Sequence, residues 1–274
     1  MKITFLGTAA SEGFPAVFCH CDYCCEARKR QGKNIRTRSQ TLIDDELLID
    51  LPADTYLHFL QNGVEGDTIR YLLVTHSHSD HFYPNELYLR EDVYAHNMRS
   101  PSLQVCCGEG VAKLFEERRD RISPTVHYRQ LQPFETVALG RYTVTALPAR
   151  HMQGDGALFY LIQSDKTLLY AHDTGYFYEE VFEFLSKQNV KLDAISLDCT
   201  NVDIPITDEG SHMGLDNIER LLARLTACGI VHDKTVKIIN HFSHNANPLH
   251  DVLEARVKDI GYEVAFDGKC VELV

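Results

Sequence analysis

The chain has 274 residues, 44% of them apolar and 24% charged, which is the composition of an ordinary globular protein with enough length to bury a sizeable core. A formal net charge of −12 argues against nonspecific binding to nucleic acid or an anionic membrane, since both repel an acidic surface. The opening Met1–Gly7 is too short and too soon broken by glycine for a secretory signal, and no apolar run approaches a membrane span, so a cytoplasmic location is expected.

No period repeats and no Pro/Gly/Ser-rich linker divides the sequence, so residues 1–274 read as one domain. Strand-like runs lead the chain at Lys2–Leu6, Gln40–Ile43, Leu47–Ile49 and Arg70–Val74. Val137–Leu139, Tyr142–Ala146, Ala157–Gln163 and Thr167–Tyr170 follow as strands. A helix comes next near Glu179–Lys187, with Val181, Phe182 and Leu185 on one face. Ala194–Leu197 and Val236–Ile239 are further strands, separated by a helix over Leu215–Ala227 that Gly229 ends. Asn247-Pro248 is expected to open a last helix, with a capping side chain and proline at its first position, and Gly261 to close it. Tyr262–Phe266 and Cys270–Leu273 then read as a hairpin turning at Asp267-Gly268. Strands followed by helices, twice over, point to two packed sheets with helices outside, an α+β arrangement.

The central segment is the strongest chemical signal. The apolar strand ending at Val74 runs into His76-Ser-His78-Ser-Asp80-His81, three histidines and an aspartate within six residues. One or two histidines there would read as strand caps. Four donors exceed what one catalytic ion needs, and imidazole with carboxylate is the donor set for zinc, manganese or iron. His151, Asp173 and His241 each follow an apolar strand and complete a two-metal set. A second cluster, Cys19-His20-Cys21-Asp-Tyr-Cys24-Cys25, offers three thiolates for a tetrahedral zinc corner, with His244 chosen as fourth ligand because it lies three residues beyond His241. Nine cysteines, an odd count without a signal peptide, do not form a disulfide framework. Cys199, Cys228, Cys270 and the pair Cys106-Cys107 are read as structural, Cys25 as packed or free, and His20 and His172 are left outside the sites. Arg36 and Arg38 are minor candidates for holding phosphate.

The order and local context of His76-x-His78-x-Asp80-His81, His151, Asp173 and His241 resemble the metallo-β-lactamase superfamily. That resemblance implies an αββα sandwich with the site at one edge of the sheets. It assigns one metal to His76, His78 and His151, the other to Asp80, His81 and His241, with Asp173 bridging and Asp50 supporting from behind. The superfamily has glycine two residues after that early aspartate, where this chain has Leu51-Pro52, a departure that bears on the local turn. The pairing of Cys-x-Cys-x-x-Cys with His241-x-x-His244, the opening Phe5-Leu-Gly-Thr-Ala-Ala and the late Phe266-Asp-Gly resemble the PhnP-type phosphodiesterases of the carbon–phosphorus lyase pathway. By that likeness His212 is the general acid, and a structural zinc ties the amino-terminal loop to the loop carrying His241.

The expectation is a phosphodiesterase acting on small, including cyclic, phosphodiesters with two catalytic divalent metals and one structural zinc, assembled as a homodimer. A transfer-RNA-processing endonuclease shares the motif but would want a basic extension, and a thioesterase would lack the cysteine cluster. A zinc-binding protein of cofactor biosynthesis is the non-enzymatic alternative, weakened here because all seven ligand positions are filled.

Overall fold

The computed structural model describes all of residues 1–274. The first half of the chain supplies β1 (Lys2–Gly7), β2 (Gln40–Ile43), β3 (Leu47–Ile49), β4 (Tyr71–Val74), β5 (Leu103–Cys107) and β6 (Val126–Gln130). The second half supplies β7 (Thr136–Leu139), β8 (Tyr142–Pro148), β9 (Leu158–Gln163), β10 (Thr167–Ala171), β11 (Ala194–Asp198), β12 (Val236–Asn240) and β13 (Glu263–Val264), before β14 (Lys269–Glu272) returns to the first sheet. Two seven-stranded sheets result, ordered β14-β1-β2-β3-β4-β5-β6 and β13-β12-β11-β10-β9-β8-β7.

The layering follows from side-chain alternation. On β4, Leu73 points into the space between the sheets beside Tyr160, Ile162 and Leu168, whereas Leu72 and Val74 point outward to pack with Val111 and Phe115 of helix α3 (Glu109–Glu117). The strand is therefore apolar on both faces, as a strand covered on both sides must be. On the far side, Phe159, Leu169 and Ile239 meet α4 (Glu179–Lys187) and α5 (Leu215–Ala227) through Val181, Phe182, Ile218 and Leu222. The order helix, sheet, sheet, helix is the expected αββα sandwich. Helices α1 (Asp22–Arg30), α2 (Thr55–Asn62) and α6 (His250–Val257) complete the set. No helix is long and apolar enough to cross a membrane.

Two expectations are corrected. Asp267-Gly268 is not a hairpin turn: β13 pairs with β12 in parallel (Ile239 opposite Val264), while β14 pairs antiparallel with β1 in the other sheet (Lys2 opposite Glu272). The segment between them crosses from one sheet to the other. The last helix starts at His250 and not at Pro248, because Asn247 takes a left-handed conformation (φ 53°) and Leu249 occupies the N-cap.

Asp267 is the hub of that crossover. Thr8 Oγ1 donates to its Oδ1 at 2.7 Å, and Thr37 donates through both N and Oγ1 to its Oδ2 at 2.6 Å. Burial pushes this carboxyl up to about 6, and the Thr37 and Thr8 donors and Arg36 offset only part of the rise. Because the folded value lies above the ~3.9 of an unfolded Asp, its contribution is complete below about pH 4 and is lost as pH rises through about 6. The displacement corresponds to about 3 kcal/mol. The Tm of wild type relative to Asp267→Asn should therefore fall as pH rises from about 4 to 7, and a difference independent of pH contradicts the assignment.

Candidate metal centre

Strands β3 and β4 run parallel, as do β10, β11 and β12, and β8 runs the same way as β10 through the intervening antiparallel β9. Their C-terminal ends share an edge of the sandwich, and it is there that Asp50, the His76–His81 loop, His151, Asp173, Asp198 and His241 emerge. Three of these residues, Asp50 (φ 64°), Asp173 (φ 49°) and His241 (φ 62°), are non-glycine residues in the left-handed region. Each such residue costs on the order of 1–3 kcal/mol and persists only where its surroundings enforce it. At Asp50 the turn forms without the superfamily glycine: Leu51 N donates to His81 O (2.7 Å), Tyr83 N to Leu51 O (2.7 Å), and Gln40 Nε2 to Asp50 O (3.0 Å).

The side chains converge as two groups. His76 Nε2 lies 2.9 Å from His78 Nδ1, which lies 3.2 Å from His151 Nε2. Asp173 Oδ2 lies 2.5 Å from His81 Nε2 and 3.0 Å from His241 Nε2, with Asp80 Oδ2 3.4 Å from His81 Nε2. The other oxygen of Asp173 turns toward the first group, 3.8 Å from His151 Nε2. Asp173 thus stands between the two.

Divalent cations fit this arrangement. His81 Nε2, His241 Nε2 and Asp173 Oδ2 are buried without a well-formed hydrogen bond, and such orphaned atoms are costly unless something satisfies them. Burial holds His76 neutral, the form that ligates. At His81 burial works the same way, but Asp173 and Asp50 outweigh it and raise the imidazole well above its ordinary range, so the site's own field demands positive charge. From behind, Asp50 Oδ2 lies 2.7 Å from His81 Nδ1 and Thr75 Oγ1 3.0 Å from His76 Nδ1, which fixes each ring with its Nε2 forward.

His212 sits at the rim. Its Nδ1 lies 2.9 Å from Asp198 Oδ2 and 3.4 Å from Asp173 Oδ1, and its ring stacks on His241 at 5.8 Å, 5.0 Å from His151. Burial alone would lower this imidazole, but the Asp198 carboxylate raises it to about 9. Asp198 also accepts from Thr200 N and Met213 N, and Thr200 Oγ1 lies 2.8 Å from His241 Nδ1. Asp198 and Thr200 escaped selection from the sequence. Their available signal was position, since Asp198 ends β11 as Asp173 follows β10.

The cysteine cluster gathers in space. Cys21 Sγ and Cys24 Sγ lie 3.7 and 3.6 Å from His244 Nδ1, and the donors of Cys19, Cys21, Cys24 and His244 all fall within 4.8 Å of one another. Tetrahedral bonds of ~2.3 Å to sulfur and ~2.0 Å to nitrogen set the donors about 3.6 Å apart, so these residues fit zinc. All nine cysteines are free of disulfides, and Cys25 faces the His20 carbonyl. Neither arginine lies among the site's side chains: Arg36 is buried against Phe242, and Arg38 pairs with Asp54 at 3.0 Å. His172 is buried between the sheets, 2.7 Å from Ser196 Oγ.

Known proteins agree with this architecture. The chain superimposes on a diphosphatase of the PhnP family with a TM-score of 0.74 at 20% identity, covering 99% of this chain and 97% of that one. It superimposes on zinc-bound PqqB from Methylobacterium extorquens with a TM-score of 0.76 at 21% identity over the whole of both chains, and on human short-form tRNase Z with 0.68 at 14%, again over both in full. At these identities the likeness is one of fold. An octanoyltransferase of Porphyromonas gingivalis is 35% identical over 83 residues, which is 30% of this chain and only 16% of that protein's length. The beta-lactamase superfamily domain matches residues 49–242, the stretch running from β3 through His241 and Phe242, and the chain belongs to that superfamily of metal-dependent hydrolases.

Proposed function

We propose that this protein is a phosphodiesterase that cleaves small, including cyclic, phosphodiesters. The observation that carries the reading is the His212–Asp198 pair beside Asp173. Asp198 engages Nδ1 of His212, leaving Nε2 as the nitrogen free to hand a proton to a departing group. A built-in acid serves an alkoxide, whose conjugate acid is weak. A thiolate, with a thiol near pKa 8.5, leaves without such help. Divalent zinc, manganese or iron, held by His76, His78 and His151 and by Asp80, His81 and His241 across Asp173, would supply Lewis acidity and an activated water. Asp80 would be the carboxylate that orients such a water, while Asp50 and Thr200 keep His81 and His241 aimed. The formal net charge of −12 weighs against a transfer-RNA substrate.

A second reading has one observation in its favour. The likeness to an octanoyltransferase, over 83 residues and 16% of that protein's length, makes an octanoyl ester or thioester the substrate class to try second. Assay of the metal-loaded protein on bis(p-nitrophenyl) phosphate and 2′,3′-cyclic nucleotides decides between them. Turnover is expected, falling by at least ~10²-fold in Asp80→Ala. Absence of turnover with either zinc or manganese, while metal analysis finds the sites filled, ends the phosphodiesterase reading, and an octanoyl thioester is then the substrate to try.

A further inference from the structure

The histidine of the cysteine cluster stands three residues after His241, in a segment with little slack. Phe242 N donates to Thr8 O and Phe242 O accepts from Ala10 N, both at 3.0 Å. Ser243 Oγ and His244 N both donate to Glu12 Oε1, at 2.6 and 3.2 Å, and the Arg36 guanidinium lies 4.5 Å over the Phe242 ring. On the other side, Cys24 Sγ accepts from Ala16 N at 3.3 Å and Cys19 Sγ from Cys21 N at 3.4 Å. The thiol cluster and the strained His241 are thus joined through one short segment, His241–His244.

Cys21 and Cys24 are placed to join. Cys21 is the N-cap of α1 and Cys24 lies in its first turn, and both sulfurs approach the same nitrogen of His244. Cys21 is partly exposed, and Cys24 is buried behind it. Cys25, the next residue, turns its sulfur to the His20 carbonyl at 3.6 Å.

We propose that Cys21 and Cys24 form a reversible disulfide on exposure to peroxide, and that this slackens the metal centre by releasing His244. The Cys21 thiolate attacks one oxygen of hydrogen peroxide, the O–O bond breaks, and the hydroxide that leaves takes a proton to become water. The Cys24 thiolate then displaces the sulfenic oxygen, which departs as the second water, and the S–S bond forms. The two thiolates lose two electrons, one peroxide gains them, and two protons come from solvent. Cys19 and His244 remain, too few to hold a tetrahedral ion. His241 loses the anchor three residues downstream, and the ion assigned to Asp80, His81 and His241 is held less tightly. The inference rests on His241 as a catalytic ligand, and its thiol and zinc readouts do not depend on the substrate.

The test treats the full-length, metal-loaded protein with stoichiometric hydrogen peroxide. Two of the nine cysteines should become unreactive to a thiol reagent, one zinc per chain should pass to a chromophoric chelator, and peptide mass mapping should find Cys21 joined to Cys24. Affinity for the ion at His241, titrated with manganese, should fall by ~10–100-fold, and dithiothreitol with zinc should restore it. Cys25→Ser should respond as wild type does. Nine intact thiols with zinc retained, a disulfide through Cys25, or a Cys21–Cys24 disulfide that leaves the manganese affinity unchanged would each overturn the proposal.

Discussion

Asp173→Asn should abolish loading of the proposed catalytic ion pair while leaving zinc at Cys19, Cys21, Cys24 and His244. Metal analysis of the wild type is expected to find about three ions per chain, the sum of a pair and a structural zinc. Asp173 is the group that faces both halves of the pair, 2.5 Å from His81 Nε2 on one side and 3.8 Å from His151 Nε2 on the other. An amide keeps the shape and removes the charge that would balance two cations, and its nitrogen cannot ligate. Loss of an outer-shell partner lowers metal affinity by ~10–100-fold, and loss of a carboxylate placed to bridge two ions should exceed that. The expected product is a folded protein holding about one ion per chain and without measurable turnover. Retention of about three ions would show that Asp173 does not bridge.

His212→Ala should lower kcat by ~10²–10⁴-fold on a 2′,3′-cyclic nucleotide, the usual span for a positioned acid. The same change should cost much less on bis(p-nitrophenyl) phosphate, because p-nitrophenolate leaves without protonation. That contrast separates a proton donor from a residue that merely packs, since His212 also stacks on His241 and its loss could loosen the centre generally. Equal losses on the two substrates would assign His212 to the support of His241. Asp198→Asn should follow the same pattern in milder form, as Asp198 orients the imidazole and sustains its charge.

How much of this was readable from residue order depends on how local each signal is. His76, His78, Asp80 and His81 announce themselves because four donors crowd one loop after one apolar strand, and all four do converge. His151, Asp173 and His241 are ambiguous one at a time and gain weight only as a set. Thr75 and Thr200, which steady the histidines, follow strands as many threonines do and carry no distinguishing pattern. Asp267-Gly268 misleads for the opposite reason: a strong local turn signal is overridden by distant pairing, Val264 with Ile239 and Glu272 with Lys2. The edge strand β6, Val126-His-Tyr-Arg-Gln, has only its first residue buried, so its place comes from β5 and not from its own composition. Asn247-Pro248 looked like a helix start because both residues favour one, yet the loop that carries His244 requires the left-handed turn at Asn247.

The positive backbone angles at Asp50, Asp173 and His241 have an evolutionary corollary. A glycine at any of the three would relax the backbone and delete the functional side chain in the same step. These are positions where durability and chemistry pull against each other, so a lineage that no longer needed the reaction would be free to drift toward glycine there. A descendant with glycine at positions 50, 173 and 241 would have shed the backbone strain together with the acceptor that Thr75 N and His81 Nδ1 use at Asp50.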